Sequence, residues 1–285
     1  MHFLMMAMGL GLAWFLRSTC LAPTGPWRDR WAYTLSCFLF APLLLLMTAI
    51  AIVCMGPSGQ MVMHWEGWLS YGLAIAFLVW AGSRGLHLAW EGYQTTHHLH
   101  RHPVVEWQGR SLQLLDTPEL YSAQIGFWRS RLVVSQGLLN TLQPSQIQAV
   151  LAHEYAHARY HDTFWFFWLG CLRRITPWLP HTEELWQELL TLRELRADSH
   201  AAQTVDPLVL AEALLLVVSA PLNQFQPLQP ELCAAFSWAV SRDRLTERID
   251  SLLAAPEQPP TTTWWPLSWL AIVALPLVAI PFHGG

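Results

Sequence analysis

The chain has 285 residues, of which 53% are hydrophobic and only 13% charged, with a formal net charge of −4. So apolar a composition does not suit an ordinary soluble domain, and the acidic balance offers no case for a nucleic-acid partner. Five cysteines with no CxxC pair predict free or buried thiols rather than a disulfide framework.

The apolar residues come in long runs. Phe3–Leu16 has no positive charge before it and Arg17 behind it, which predicts a first membrane helix rather than a signal peptide. No Asp, Glu, Lys or Arg falls between Ala32 and Trp65, and Ala32–Met55 alone is long enough to cross a bilayer. Trp68–Ser83, extended by Gly85–Trp90 beyond Arg84, is the next candidate. Trp264–Phe282 is the last, with Pro266, Pro276 and Pro281 read as kinks. The chain contains no lysine, so sidedness rests on arginine. Arg17, Arg28 and Arg30 stand against Asp29 in the first loop, and only Glu66 lies in residues 56–67. The positive-inside rule then puts the first loop and residues 84–263 in the cytoplasm and both termini outside. Trp27, Trp31, Trp65, Trp68, Trp264 and Trp265 gather at the proposed boundaries, where amphipathic rings are favoured. His97, His98, His100 and His102 with Arg101 read as a polar juxtamembrane stretch.

After these runs the pattern changes. Tyr121–Phe127 and Leu132–Val134 are predicted strands. Pro144 suits a first helical turn, and Ile147, Val150 and Leu151 follow at core-facing spacing, which predicts a helix over about 144–161. Within it lies His153-Glu154-Tyr155-Ala156-His157. At that spacing the two imidazoles share one helix face about 6 Å apart along the axis, so both can reach one Zn²⁺. Glu154 is offset from that face and suits a general base for a metal-bound water. His161 would stand about 12 Å along the axis from His153, too far for the same ion. Tyr160 and Thr163 occupy the places where a metzincin has Gly and His.

Thr163–Leu172 is too short to span and predicts an interfacial or buried helix, with partial membrane insertion as the alternative. Residues 183–202 read as a helix with Leu185, Leu189, Leu192, Leu195 and Ala197 apolar. On it, Glu194 and Asp198 are four apart and share a face. From the residues alone two readings stand. Glu194 completes a His₂Glu site while Asp198 accepts a hydrogen bond from a ligand imidazole, or both belong to a solvated face with Glu183, Glu184, Glu188, Arg193 and Arg196.

His153-Glu154-Tyr155-Ala156-His157 followed by Glu194-Leu-Arg-Ala-Asp198 resembles the membrane gluzincin zinc metallopeptidases with an HExxH…ExxxD signature. These comprise HtpX and the CAAX prenyl endopeptidases on one side and the BlaR/MecR-type antibiotic-sensor peptidases on the other. Residues 126–152, Asp162 and Arg248-Ile249 extend the resemblance over about 105–255. It implies Glu194 as third zinc ligand, Asp198 beside the ligands, and a strand before the motif helix to which a peptide substrate adds. Which strand stays open. Tyr160, Arg196 and Arg248 are equal candidates for stabilising an oxyanion. Only three residues follow Phe282, so no extracellular sensor domain and no β-lactam sensing are expected.

The resulting expectation is a mainly α protein with multi-pass transmembrane helices and a gluzincin-like α+β zinc metallopeptidase domain with a small β-sheet. Its divisions are a membrane region over 1–90, a cytoplasmic peptidase domain over 91–263 and a C-terminal transmembrane helix over 264–285. One Zn²⁺ per chain is expected on His153, His157 and Glu194, with Glu154 as base and Asp198 behind a ligand. The expected partners are a polypeptide substrate, either a repressor or a misfolded membrane protein, and the lipid bilayer of a bacterial cell membrane. The non-enzyme alternative is a catalytically silent membrane sensor or scaffold.

Overall fold

A computed structural model describes residues 2–20, 24–57, 64–99, 102–107, 109–220, 233–235, 242–254 and 268–282. The described residues are mainly helical with one mixed five-stranded sheet, and they fall into two compact units. One comprises Met1–His87, Cys171–Leu189 and Pro259–Gly285; the other comprises Leu88–Gly170 and Leu190–Gln258.

The first unit holds α1 (His2–Thr19), α2 (Trp27–Met55) and most of α3 (His64–Leu99). Two helices among the described residues are long and apolar enough to cross a membrane, Trp27–Met55 and Trp65–His97. Pro42 sits inside α2 without ending it. The continuation expected beyond Arg84 is present and goes further than Trp90: α3 runs 36 residues through Arg84 to Leu99. At 1.5 Å per residue that is about 54 Å, well beyond a ~30 Å hydrocarbon core. Its first half leaves Trp68, Leu69, Leu73, Val79 and Trp80 exposed. α1 is apolar on its outer side but is not one of the two. The single helix expected over 264–282 is not formed. Residues 264–267 lie outside the described set, and the rest breaks into α10 (Ser268–Val273), α11 (Leu275–Val278) and a 3₁₀ turn over Ile280–Phe282. Pro276 and Pro281 each remove a backbone donor, and both fall at starts of these short pieces. Trp264, Trp265, His100 and Arg101 also lie outside the described residues.

Two arginines of the first loop are not free surface charges. Arg17 is buried and donates to the carbonyls of Cys37 (2.8 Å), Phe38 (3.0 Å) and Pro180 (3.1 Å), and to Thr182 Oγ1 (2.9 Å). Arg30 donates to Glu188 Oε1 from Nε at 2.8 Å. Both partner segments belong to the same unit.

The second unit is built on the sheet, ordered β1-β2-β4-β3-β5. β1 (Val104–Trp107) and β2 (Arg110–Leu115) form a hairpin; β2 pairs in parallel with β4 (Arg131–Ser135); β3 (Ser122–Ile125) lies antiparallel between β4 and β5 (Cys233–Ala235). One face turns Leu112 and Val134 to α5 (Pro144–Arg159) and α8 (Pro207–Ser219), closing a core with Ile147, Val150, Leu210 and Leu214. Ala123, Ile125 and Val133 line the other face with Leu115 and Cys233. α4 (Gln136–Thr141) follows β4 directly, capped by Ser135, whose hydroxyl accepts from the Leu138 amide at 3.1 Å. Behind it Gly137 meets the Thr117–Glu119 segment so closely that a Cβ would stand 2.1 Å from the Pro118 carbonyl oxygen. A Gly137→Ala protein is therefore expected to lose about 3 kcal/mol, because backbone rather than a movable side chain must shift; thermal unfolding in detergent measures this.

Candidate metal centre

α5 begins at the proline that sets its first turn. Pro144 stands at the first helical position, and Gln143 and Gln146 form a reciprocal cap across it. Ile147, Val150 and Leu151 bury against the sheet, which fixes the helix rotation and carries His153, Glu154 and His157 inward, all fully buried. The helix closes at Arg159. His161, with φ 52°, leaves the helical path and stacks on Trp128 at 5.4 Å, apart from the imidazole pair.

α7 (Thr182–Ala201) supplies the third group. Its predicted apolar positions Leu185, Leu189, Leu192, Leu195 and Ala197 are all buried, and so are Arg193, Glu194 and Asp198. Glu194 is thus part of the interior and not of a solvated face. His153 Nε2 and His157 Nε2 stand 3.0 Å apart, and Glu194 Oε2 lies 3.3 Å from the first and 3.7 Å from the second. Three ligand atoms at ~2.0–2.1 Å from a tetrahedral ion stand about 3.3 Å from one another, which this triangle brackets. Glu154 Oε2 is buried with no hydrogen-bond partner, an arrangement that costs free energy unless a cation or a water satisfies it, while Glu194 Oε2 has Arg248 Nη1 3.5 Å away. The donor set, two imidazoles and a carboxylate, suits zinc with one position left open.

Each imidazole is held from behind. His153 Nδ1 stands 2.8 Å from Asp198 Oδ1, and His157 Nδ1 stands 2.7 Å from Asp162 Oδ2. A proton on each Nδ1 leaves the Nε2 lone pair for a metal. The carboxylates are held in turn. Arg248, from α9 (Arg242–Leu253), donates to Asp198 through Nε (2.7 Å) and Nη2 (2.9 Å). Arg196 donates to Asp162 and lies over the Tyr160 ring at 4.4 Å. Arg193 donates to Glu194 Oε1 at 3.0 Å, its guanidinium 4.7 Å from the Phe166 ring. Arg196 and Arg248, equal candidates for an oxyanion in the sequence, are thus occupied with positioning carboxylates. The arginines have no fixed offset from HExxH in the sequence; Asp162 was marked there by the resemblance, without the role it takes behind His157.

Residues 111–176 match Peptidase family M48. Among curated proteins none matches the chain. The M48 match runs from β2 through α6 (Asp162–Ile175) and takes in His153, Glu154, His157 and Asp162, so it agrees with the resemblance drawn from the motifs. It ends before Glu194, Asp198 and Arg248, which the fold brings to His153 and His157.

Charge at the candidate centre is tightly coupled. Burial lifts the Glu154 carboxyl above its usual range, the two histidines oppose this, and Ser122 donates to Oε1 at 3.1 Å. Burial would lower the His157 pKa, but Glu194 and Asp162 outweigh it and raise it to about 9. Burial would likewise raise Glu194, but His157 and Arg193 hold it well below the usual carboxylate range. Without metal, His157 is therefore protonated at neutral pH, and its Nε2 proton competes with a cation. Zinc affinity is expected to climb with pH and level off above about 9, with proton release on binding. Titration calorimetry in two buffers of different ionisation enthalpy measures it, and equal apparent enthalpies would contradict it.

Proposed function

We propose that this chain is a membrane-bound zinc metalloendopeptidase, with His153, His157 and Glu194 holding one Zn²⁺ and Glu154 acting as general base. The observation that carries the reading is the convergence of two imidazole nitrogens and a carboxylate oxygen in a buried triangle beside an unpartnered Glu154 oxygen. Bound there, the metal would act as a Lewis acid and lower the pKa of a bound water to about 7. Glu154 accepts the proton of the attacking water as its oxygen bonds to the scissile carbonyl carbon. It then delivers that proton to the leaving amine as the C–N bond breaks. Asp198 and Asp162 keep the imidazoles in one tautomer throughout.

β3 borders the site, since Ser122 reaches Glu154 from it. Its outer edge pairs with β5, Ile125 opposite Cys233 and Ala123 opposite Ala235. A peptide adding as a strand must therefore displace β5 or extend the sheet beyond it.

The membrane reading rests on α2 and α3. Two consecutive spans return the chain to its starting side, and the bonds from Arg17 to Thr182 and from Arg30 to Glu188 support this by tying the first loop to the start of α7. With the positive-inside rule, that shared side is the cytoplasm. A cytoplasmic repressor or a misfolded membrane protein can reach a site there. Zinc content of detergent-purified wild type beside Glu194→Ala, with casein cleavage read in parallel, tests the proposal. One zinc per chain in wild type and loss of both zinc and cleavage in Glu194→Ala are expected. Full zinc in Glu194→Ala would remove Glu194 from the ligand set.

A further inference from the structure

The outer side of the peptidase unit carries aromatic rings that the chemistry above does not use. The β3–β4 turn presents Phe127 and Trp128, 43% and 59% exposed, and α6 presents Trp165 and Trp168, 58% and 50% exposed. The rings form one cluster. Phe127 lies 5.0 Å from both Phe164 and Phe167, and Trp128 lies 4.8 Å from Phe164, edge to face. Thr163 Oγ1 donates to the Phe127 carbonyl at 3.0 Å, tying the turn to the start of α6. The turn's shape is set at Gly126, where φ is 141° and a Cβ would stand 2.8 Å from the Arg129 carbonyl oxygen. This is a fixed apolar surface, larger than the scattered exposed residues that need no explanation.

Its chemistry selects an occupant. Indoles carry an apolar body and one polar N–H, the combination favoured at the boundary between headgroups and acyl chains. The ionisable side chains of Gly126–Leu132 are Arg129 and Arg131, both exposed, and residues 163–170 contain none at all. Cations beside tryptophans complement lipid phosphate. The candidate membrane helix α3 also ends here: its Thr96 lines the same recess as Phe127, Trp128, Arg129 and Arg131. Trp90 and Tyr93 stand exposed along that final stretch, with rings stacked at 5.8 Å.

We infer that the β3–β4 turn and the outer face of α6 form a lipid-docking surface that seats the peptidase unit on the headgroup–acyl boundary of an anionic phospholipid bilayer. The inference rests on the membrane-peptidase reading and deepens it. α6 opens with Asp162, which holds His157, so the docked rings and the metal ligands share one short stretch of chain. The substrate class is then polypeptide presented at the bilayer surface.

The test uses the full chain in vesicles of phosphatidylcholine and phosphatidylglycerol, with p-benzoylphenylalanine replacing one residue at a time and irradiation followed by mass analysis. Replacements of Trp128 and Trp165 keep an aromatic ring at each place. Leu73, exposed on α3, reports the candidate span, and Asn140, exposed on α4 beyond the end of β4 opposite the turn, is the control. The expected result is phospholipid adducts at positions 73, 128 and 165 and none at 140. Adducts at 73 but not at 128 or 165 would overturn the docking surface and leave the membrane reading standing. No adduct at any position would overturn both. Cross-linking of 128 or 165 to a second copy of the chain would replace lipid by self-association.

Discussion

Glu154→Gln is expected to keep one zinc per chain and to lose casein cleavage by about 10³-fold, within the ~10²–10⁴-fold that a positioned proton-transfer group contributes. The amide has nearly the shape of the carboxylate and can still accept from Ser122, but it cannot take a proton from water. The pKa direction adds a second expectation. Burial raises the Glu154 pKa, so folding disfavours its charged form. Above the carboxylate's unfolded pKa that charge costs stability, and the neutral amide removes the cost. The metal-free variant should melt no lower than metal-free wild type at neutral pH. A variant that cleaves casein normally would turn the reading toward a scaffold that keeps a zinc fold without turnover. One that loses both zinc and folding would give Glu154 a structural role.

The histidine pair of the candidate metal centre was legible in the sequence because helical spacing writes it out. His153 and His157 fall four apart, and Pro144 with the apolar positions after it marks where their helix begins; the structure runs it over Pro144–Arg159 against the predicted 144–161. Glu194 stood open between ligand and solvated charge because α7 carries Glu183, Glu184 and Glu188 on the same helix. Periodicity does not say which carboxylates a tertiary fold will bury. The roles of Arg193, Arg196 and Arg248 in holding carboxylates were illegible for the same reason. Each is buried or half-buried by a partner distant in sequence or by a ring it lies against, and composition reads an arginine as surface.

The sheet was read in part. β3 and β4 were found as strands, whereas β1, β2 and β5 were not. β5 is three residues long, and its place beside β3 is set by pairing across more than a hundred residues. Two apolar runs differ from their expected lengths, α3 being longer and the C-terminal run broken. α3 continues through Arg84 because one arginine in a long helix can extend its head toward a polar phase while its stem stays among apolar neighbours. The C-terminal run breaks into short pieces that begin at Pro276 and Pro281, each of which lacks a backbone donor.

Arg248→Met is expected to lower the stability of the metal-free protein by about 3–5 kcal/mol, the cost of leaving one member of a buried ion pair without the other. Burial pulls the Asp198 pKa upward, and Arg248 is the largest influence holding it below the usual carboxylate range. A depressed folded pKa stabilises the fold above the unfolded value and is lost as pH falls. Without Arg248 that loss should begin at a higher pH, and the acid limb of the unfolding curve should move upward. As Asp198 takes up a proton it ceases to be a charged acceptor for His153 Nδ1, and zinc affinity should fall about 10–100-fold. The double variant Asp198→Asn/Arg248→Met separates the two effects. It removes both buried charges, so part of the stability should return, while zinc affinity should stay low because an amide does not supply the anionic partner that raises the basicity of the imidazole. Thermal unfolding across pH and zinc competition against a chromophoric chelator measure the two quantities. Equal zinc affinity in wild type and Arg248→Met would mean that Asp198 orients His153 without help, and Arg248 would then serve the fold alone.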